Sequence, residues 1–396
     1  MELDVLIFGG GVAGLWLLDE LHRRRFRVLL IERRALGAGQ SIASQGILHG
    51  GLKYMLGGMA SGSARTVGAM TDVWRACLSG RGQPDLSDAR IFSPCCYLWR
   101  TDSLISRAAL SAARLVLRTS VERVATRDRP AALVNCPGEI LRVNEQVVDV
   151  ASFLSVLARG HTARIMQVGE EDSVDFVTSS LGRVDEVQLR RSAANAVVSM
   201  KTATTVFAAG EGNEDLRRRV GLSADTMQLR PLRMVMVRGR LPQLFGHCVD
   251  GNKTRVTITS AVDSQDRTVW QLGGEIAEKG VDMTPSDLIQ FAQRELMSVL
   301  PGVDWAGVEW ATYRINRAEG RSTAGLRPDG PVWRRDGSVI SAWPTKLVLA
   351  PRLARSIADA LGDPPEGGTE SVEAPPDWPR PEVAQPPWEV NDQWRR

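Results

Sequence analysis

The chain of 396 residues lacks several features that mark particular classes of protein. No apolar run approaches the ~20 residues that a membrane-spanning helix needs, so we expect no transmembrane segment. The sequence has no P-loop, no GxSxG elbow and no Cys/His cluster with metal-ligand spacing, and it therefore predicts no metal site. A formal net charge of +3 stands against 49 basic and 46 acidic residues, and no basic run forms a patch for nucleic acid.

Lysine and cysteine are both scarce. Only five of the basic residues are lysine, which we interpret as coding bias in a GC-rich genome, although it draws attention to each lysine. The five cysteines are odd in number and show no CxxC spacing. With no signal peptide before them, we expect reduced thiols in a cytoplasmic protein, and we interpret Cys95 and Cys96 as buried core thiols rather than a redox pair.

The strongest local pattern begins at residue 3. Residues 3–8 form a short apolar run typical of a buried parallel strand, and they lead directly into a GxGxxG loop at residues 9–14. Residues 13–25 have the apolar spacing of a helix, and residues 27–31 form a second strand that ends in Glu32. This order of strand, loop, helix, strand and acid is typical of a dinucleotide-binding fold.

Each part of this pattern has a physical role. Gly9 permits the tight turn, Gly11 lets the backbone approach a pyrophosphate, and Gly14 lets the helix pack close to the strand. The helix N-terminus faces the phosphates with unpaired N–H groups, and Glu32 can accept hydrogen bonds from a ribose diol. The pattern by itself does not separate NAD from FAD. The predicted contacts in this segment are Gly9, Gly11, Val12, Ala13, Gly14, Glu32 and Arg33.

A resemblance in the next segment distinguishes the two cofactors. Residues 44–54 read Ser-Gln-Gly-Ile-Leu-His-Gly-Gly-Leu-Lys-Tyr. This string resembles the D-amino-acid-oxidase-like superfamily of FAD enzymes, with a local likeness to glycerol phosphate dehydrogenases and hydroxyglutarate oxidases. In those families the segment runs along the ribityl chain of FAD to the isoalloxazine ring. The resemblance implies FAD as the cofactor, and contacts from Ser41, Ser44, Gln45, Gly46, Gly50 and Gly51.

Two later segments are similar to the same superfamily. Residues 205–210 resemble its second cofactor strand, whose end, here Ala209 and Gly210, approaches the dinucleotide. Residues 325–331 and 337–347, followed by a helical stretch at 348–361, resemble the segment that brings backbone N–H groups to the pyrimidine end of the flavin. The resemblance implies cofactor contacts from Thr345, Lys346 and Leu347.

The order of these segments predicts an α/β fold. The length favours two interleaved domains, and we expect a Rossmann-like FAD-binding domain built from residues 1–84, 146–225 and 321–362. A mixed α+β substrate or cap domain is expected from residues 85–145 and 226–320. Residues 363–396 are rich in proline and are predicted to form a flexible tail, or a docking peptide for a partner protein. Individual elements are predicted at 91–100, 104–118, 145–157, 174–177, 184–189, 233–237, 255–259, 268–272 and 285–299.

Four side chains are candidates for the chemistry. The resemblance places His49 beside the flavin, where it is expected as a general base, as a hydrogen-bond donor to the cofactor or as a covalent flavin ligand. Lys53 and Lys346 would bind a substrate anion or stabilise the reduced flavin. Arg317, favoured over Arg314, would bind a carboxylate or phosphate.

These residues leave three functions open. The favoured one is oxidation of a CH–OH group of a small anionic substrate by hydride transfer to FAD. The alternatives are oxidation of a CH–NH group in the same fold, and a flavin-bound subunit without catalysis. No second GxGxxG is present, which argues against an NAD(P)H domain. Oxygen, a quinone or a partner protein could each accept the electrons.

Overall fold

The computed structural model describes residues 1–50, 62–100, 121–250, 253–321, 328–365 and 372–396, with the backbone alone for residues 62–66. The predictions for Gly51, Lys53, the helix at 104–118 and residues 325–327 lie outside the described residues. In the described part of the chain, no helix is both long and apolar enough to cross a membrane.

Strands make up most of the regular structure. They are β1 (Glu2–Phe8), β2 (Val28–Glu32), β3 (Ile91–Ser93), β4 (Cys96–Arg100), β5 (Val121–Arg123), β6 (Leu141–Val143), β7 (Val147–Val148), β8 (Ile165–Gln167), β9 (Ser173–Ser180), β10 (Arg183–Arg191), β11 (Ala196–Phe207), β12 (Met227–Gly239), β13 (Gly246–Asp250), β14 (Lys253–Val262), β15 (Thr268–Gly273), β16 (Glu309–Gly320), β17 (Val332–Asp336) and β18 (Val339–Trp343). The α-helices are α1 (Val12–Arg23), α2 (Gly62–Leu78), α3 (Val150–Arg159), α4 (Asn213–Arg219), α5 (Glu275–Lys279), α6 (Pro285–Val299), α7 (Ala350–Leu361) and α8 (Pro387–Val390).

The first sheet is a parallel layer with antiparallel additions. Strands β18, β11, β1, β2 and β8 lie side by side in that order and all pair parallel, while β17 pairs antiparallel with β18 at one edge. The hairpin of β9 and β10, whose strands include the predicted segments 174–177 and 184–189, pairs with β11. Helices α1, α3 and α7 pack in one apolar core against this sheet. The predicted Rossmann-like sheet is confirmed.

The second sheet is mixed, as predicted for the cap. Its strand order is β16-β12-β15-β14-β13-β4-β6-β5, with β13 and β4 parallel and the other neighbours antiparallel. Helix α6 packs on it through apolar side chains, and Thr284 caps its N-terminus, since the Thr284 side chain accepts a hydrogen bond from Asp287 N. The strands of each sheet fall within the segments expected for each domain. The exact domain boundaries stay a prediction.

Two expected elements differ in their bounds. The helix expected at 145–157 begins only at Val150, because residues 147–148 form β7 and Asp149 caps α3 by accepting from Ser152 N. The strand expected at 91–100 is divided into β3 and β4, with Pro94 between them. Proline lacks the N–H that a continuous strand would need there. All five cysteines are buried free thiols, as predicted.

The prediction of a flexible tail is wrong for residues 372–396. Trp378 is 4% exposed and packs in the core beneath the first sheet. Leu36 N donates to Glu382 O at 2.8 Å, and Trp310 and Arg395 exchange backbone hydrogen bonds of 2.7 and 2.8 Å. Proline disrupts the interior of a helix, but an extended chain can still pair with a strand and bury large side chains. The tryptophans of the tail supply that buried area.

Candidate active site

The glycine loop joins β1 to α1 and packs against the end of β11. Gly9 has φ +109°, and a Cβ there would lie 2.6 Å from Ala209 Cα. A Cβ on Gly14 would collide with the carbonyl oxygen of Gly9. Only glycine therefore allows the loop, the helix and the second cofactor strand to approach so closely. This agrees with the roles that the sequence assigned to Gly9 and Gly14.

Two polar side chains hold the loop in place. Gly10 N donates to Glu32 Oε2 at 2.6 Å, and Arg34 N donates to Glu32 Oε1 at 2.8 Å. Val12 N donates to Ser41 Oγ at 3.0 Å, at the N-terminus of α1. Glu32 and Ser41 thus lie at the two sides of the glycine loop, where a dinucleotide would pass.

A cavity of about 770 Å³ opens along this loop. Its volume is in the ~300–1,000 Å³ range of small-molecule and cofactor sites. It continues past the end of β11 to the turn after β18 and is bordered by the β9 hairpin and by β16. The predicted cofactor contacts that line it are Gly9, Gly11, Val12, Ala13, Glu32, Arg33, Ser41, Ser44, Ala209, Gly210, Lys346 and Leu347.

Two buried polar atoms in the cavity wall indicate a ligand. Ser44 Oγ and Trp343 Nε1 have no hydrogen-bond partner among the described residues. Both residues line the cavity, and Trp343 is 1% exposed. Buried polar groups are nearly always hydrogen-bonded in native proteins. A bound polar molecule would provide the partners that these two atoms need.

Three other predicted cofactor contacts, Gln45, Gly46 and Gly50, form hydrogen bonds within the protein and are not among the residues that line the cavity. Gln45 Nε2 donates to Gln271 O at 2.8 Å, so its side-chain amide points into the second sheet, and a contact of Gln45 with the cofactor stays a prediction. Gly46 O accepts from Val148 N at 3.0 Å, and Gly50 N donates to a carboxylate oxygen of Glu145 at 2.7 Å. These bonds fix the segment that the sequence placed along the cofactor.

The turn before α7 carries a strained residue. Thr345 has φ +65°, which is unusual for a β-branched side chain. Its Oγ1 donates to Gly330 O at 2.9 Å, and this bond helps to hold the turn. The next residue, Lys346, is 7% exposed and lines the cavity. The backbone strain therefore coincides with the placement of a buried cation at the cavity wall.

His49 lies in a cluster of three side chains. Its Nδ1 is 3.4 Å from Glu145 Oε2, and His247 Nε2 is 3.8 Å from the same oxygen. Glu145 and His247 are buried, whereas the His49 side chain is 31% exposed. Burial opposes the ionisation of Glu145, but the polar contacts with His247 and His49 outweigh it and hold the pKa of Glu145 far below its usual value. His49 is not among the described residues that line the cavity.

The sequence missed Glu145 and His247. Nothing near Glu145 marks it as different from the other 45 acidic residues, because its role depends on two distant segments. His247 had a weak signal, since the chain contains only four histidines. The three side chains also bring metal-ligand types together, although the spacing of Cys and His in the sequence predicted no metal site.

Arg317 and Arg314 occupy different environments on β16. Arg317 is directly opposite Arg230 on β12, and its side chain is 17% exposed, with Glu278 at 3.7 Å. Arg230 also lies 3.4 Å from the fully buried carboxylate of Glu319. Arg314 is exposed. Arg317 does not appear among the described residues that line the cavity, although its neighbours on β16 do.

Comparison with known proteins decides the family. The family model described as DAO, FAD dependent oxidoreductase, matches residues 4–355. The FAD-dependent oxidoreductase PA4991 of Pseudomonas aeruginosa is 37% identical over 398 residues, which cover 98% of each chain. The chain belongs to the DAO family of FAD-dependent oxidoreductases. FAD is therefore its cofactor and the protein is an enzyme.

Solved structures agree with this membership of the DAO family. The crystal structure of PA4991 superposes with a TM-score of 0.81 at 34% identity, covering 98% of both chains. Glycine oxidase from Geobacillus kaustophilus gives a TM-score of 0.64 at 19% identity, covering 92% of this chain and 96% of that one, and shows the shared fold alone. A sequence relative matches part of the chain: glycerol-3-phosphate dehydrogenase 1 of Mycobacterium bovis is 28% identical over 237 residues, which are 55% of this chain and 44% of that protein.

The cavity fits the cofactor of the DAO family. Its glycine loop leaves room for a pyrophosphate at the N-terminus of α1, and Glu32 stands at the end of β2 where a ribose would lie. Ser44 Oγ and Trp343 Nε1 offer unsatisfied hydrogen-bonding groups further along. The roles of the individual residues remain predictions.

Proposed function

We propose that this DAO-family enzyme oxidises a small anionic substrate at a CH–OH group. FAD, when bound, accepts the hydride that leaves the substrate carbon. The hydroxyl proton must also leave, because loss of both converts the alcohol to a carbonyl group. The chain must therefore supply a proton acceptor close to the substrate oxygen.

The relation of His49 to Glu145 carries this proposal. Glu145 Oε2 faces Nδ1 of His49 at 3.4 Å, and a carboxylate there favours the tautomer that has its proton on Nδ1. Nε2 then keeps a lone pair and can accept the hydroxyl proton. The carboxylate also stabilises the imidazolium that forms, as a carboxylate does in catalytic triads. Glu145 acts here as a positioning residue, and His49 as the general base.

Arginine side chains support an anionic substrate. Arg317 and Arg230 face each other across β12 and β16, and like charges directly opposite each other destabilise a sheet unless anions compensate them. Glu278 and Glu319 lie beside these guanidinium groups and compensate their charge. A carboxylate or phosphate of the substrate would add to this compensation through bidentate hydrogen bonds. Lys53, outside the described residues, stays a proposed second contact.

The choice of an alcohol rests on sequence likeness. The string at residues 44–54 resembles that of glycerol phosphate dehydrogenases, and the relative from Mycobacterium bovis is named for glycerol 3-phosphate. Glycine oxidase, whose name denotes an amino-acid substrate, shares only the fold at 19% identity. Oxidation of CH–NH is therefore the second candidate.

Anaerobic reduction with matched pairs of substrates tests the proposal. Each pair combines a hydroxy acid or polyol phosphate with the corresponding amino acid or amine, and bleaching of the flavin absorption is followed by stopped flow. We expect reduction by a hydroxy compound and little or none by its amino partner. Reduction by the amino compounds alone would replace the proposal with its alternative. Mixing the reduced enzyme with oxygen or with a quinone then identifies the electron acceptor.

A further inference from the structure

Three potential metal ligands converge from distant parts of the chain. His49 follows the cofactor loop, Glu145 precedes β7, and His247 lies on β13. Their ligand atoms all lie within 4.8 Å of one another. Two imidazoles and one carboxylate form a ligand set that suits Zn²⁺, whereas Mg²⁺ and Ca²⁺ prefer oxygen ligands alone.

Two of the distances between the ligand atoms are close to those of a tetrahedral metal site. His49 Nδ1 and His247 Nε2 lie 3.4 and 3.8 Å from Glu145 Oε2. Good N–H···O hydrogen bonds measure about 2.7–3.2 Å. In a tetrahedral site with bonds of about 2.0–2.1 Å, neighbouring ligand atoms lie roughly 3.3–3.4 Å apart. Because the three ligand atoms lie within 4.8 Å of one another, the two imidazoles would also have to move closer to each other for all three atoms to bind one ion.

Contacts with residues outside the cluster orient two of the three ligands, His247 and Glu145. His247 Nδ1 lies 2.9 Å from Thr257 Oγ1, which leaves Nε2 directed at the cluster. Gly50 N donates to Glu145 Oε1 at 2.7 Å, which leaves Oε2 directed at the same point. Such outer hydrogen bonds orient the ligands in known metal sites. The His49 side chain is 31% exposed, so a water molecule would serve as the fourth ligand of a tetrahedral site.

We propose that His49, Glu145 and His247 bind a divalent transition-metal ion of the Zn²⁺ type. An ion bound at Nδ1 of His49 leaves the proton of that imidazole on Nε2. His49 therefore cannot bind the metal and act as the general base at the same time. This consequence rests on the proposed function, whereas the binding of the metal does not.

Calorimetric titration of the FAD-loaded, chelator-treated enzyme with Zn²⁺ tests the site. We expect one ion per wild-type chain. His247→Asn removes one ligand and should weaken binding by more than the ~10–100-fold that loss of an outer contact costs, while Thr257→Val should fall within that range. His22→Asn is the matched control, because His22 packs against His161 at the end of α1, away from the cluster, and should bind Zn²⁺ like the wild type.

The result that overturns the proposal is a wild-type enzyme without stoichiometric Zn²⁺ binding, or an affinity that His247→Asn leaves unchanged. If His247→Asn does not retain FAD, His49→Asn at the partly exposed position gives the same comparison. The titration contains no substrate. Its failure is therefore distinct from a failure of the proposed oxidation, which flavin reduction measures.

Discussion

The indole Nε1 of Trp378 donates a hydrogen bond of 2.7 Å to the carbonyl oxygen of Gln167. This bond ties the C-terminal tail to β8, the edge strand of the parallel sheet, and Gln167 N donates in return to Pro379 O at 2.8 Å. The indole ring is buried with the core residues beneath that sheet. This part of the tail is thus packed on the cofactor-binding sheet, whereas Arg395 pairs with Trp310 on the second sheet.

Replacement of Trp378 should therefore destabilise the whole chain. Removing a buried indole costs about 3–5 kcal/mol through lost burial and the cavity that remains. Trp378→Ala should lower the free energy of unfolding by about that amount in chemical denaturation, whereas Val390→Ala, at a residue 64% exposed, should change it by less than ~0.5 kcal/mol. Equal stability of the two variants would show that the tail does not contribute.

A side chain at Gly11 should prevent FAD retention. A Cβ there would already lie 3.1 Å from Ser41 Oγ, and Gly11→Val would place further atoms in the cavity where the backbone must approach the pyrophosphate. The ratio of flavin to protein absorbance measures the loss. Gly160→Val is the control, because a Cβ on Gly160 meets nothing within 4 Å. Full flavin content in Gly11→Val would contradict the placement of the pyrophosphate.

His49 variants should separate catalysis from cofactor binding. His49→Asn removes the proposed base, so FAD should stay bound while reduction by substrate slows by ~10²-fold or more. Glu145→Gln should slow the same step with little change in KM, because Glu145 acts through the orientation of His49. Stopped-flow reduction of FAD-loaded variants gives both rates. Loss of FAD with normal reduction in the loaded fraction would instead assign His49 to cofactor binding.

Lys346 should raise the redox potential of the bound flavin. Its buried side chain lines the cavity, and a cation near the flavin stabilises negative charge on the reduced ring. Lys346→Met should therefore make the midpoint potential more negative and weaken the binding of sulfite to the flavin. Lys201→Met, at an exposed position on β11, should change neither. Spectroelectrochemistry and sulfite titration provide the measurements, and an unshifted potential would place Lys346 away from the ring.

The sequence determined the elements that depend on local chemistry. The glycine loop, its flanking strands and the acid at residue 32 follow one another within about thirty residues, so their spacing alone identifies a dinucleotide fold. The bounds of α6 were predicted correctly because Thr284, Pro285 and Pro301 mark both ends locally. The two sheets followed from the order of the strands and cofactor segments along the chain.

Tertiary structure alone decided three features. Glu145 and His247 meet His49 because separate segments fold to one point, and no spacing in the sequence records that distance. Gln45 turns into the second sheet because the carbonyl of Gln271 lies there to accept its amide. The proline-rich tail packs because the surface beside β8 accommodates Trp378. Local propensity reports what a segment can form by itself, whereas burial depends on the surface that another segment offers it.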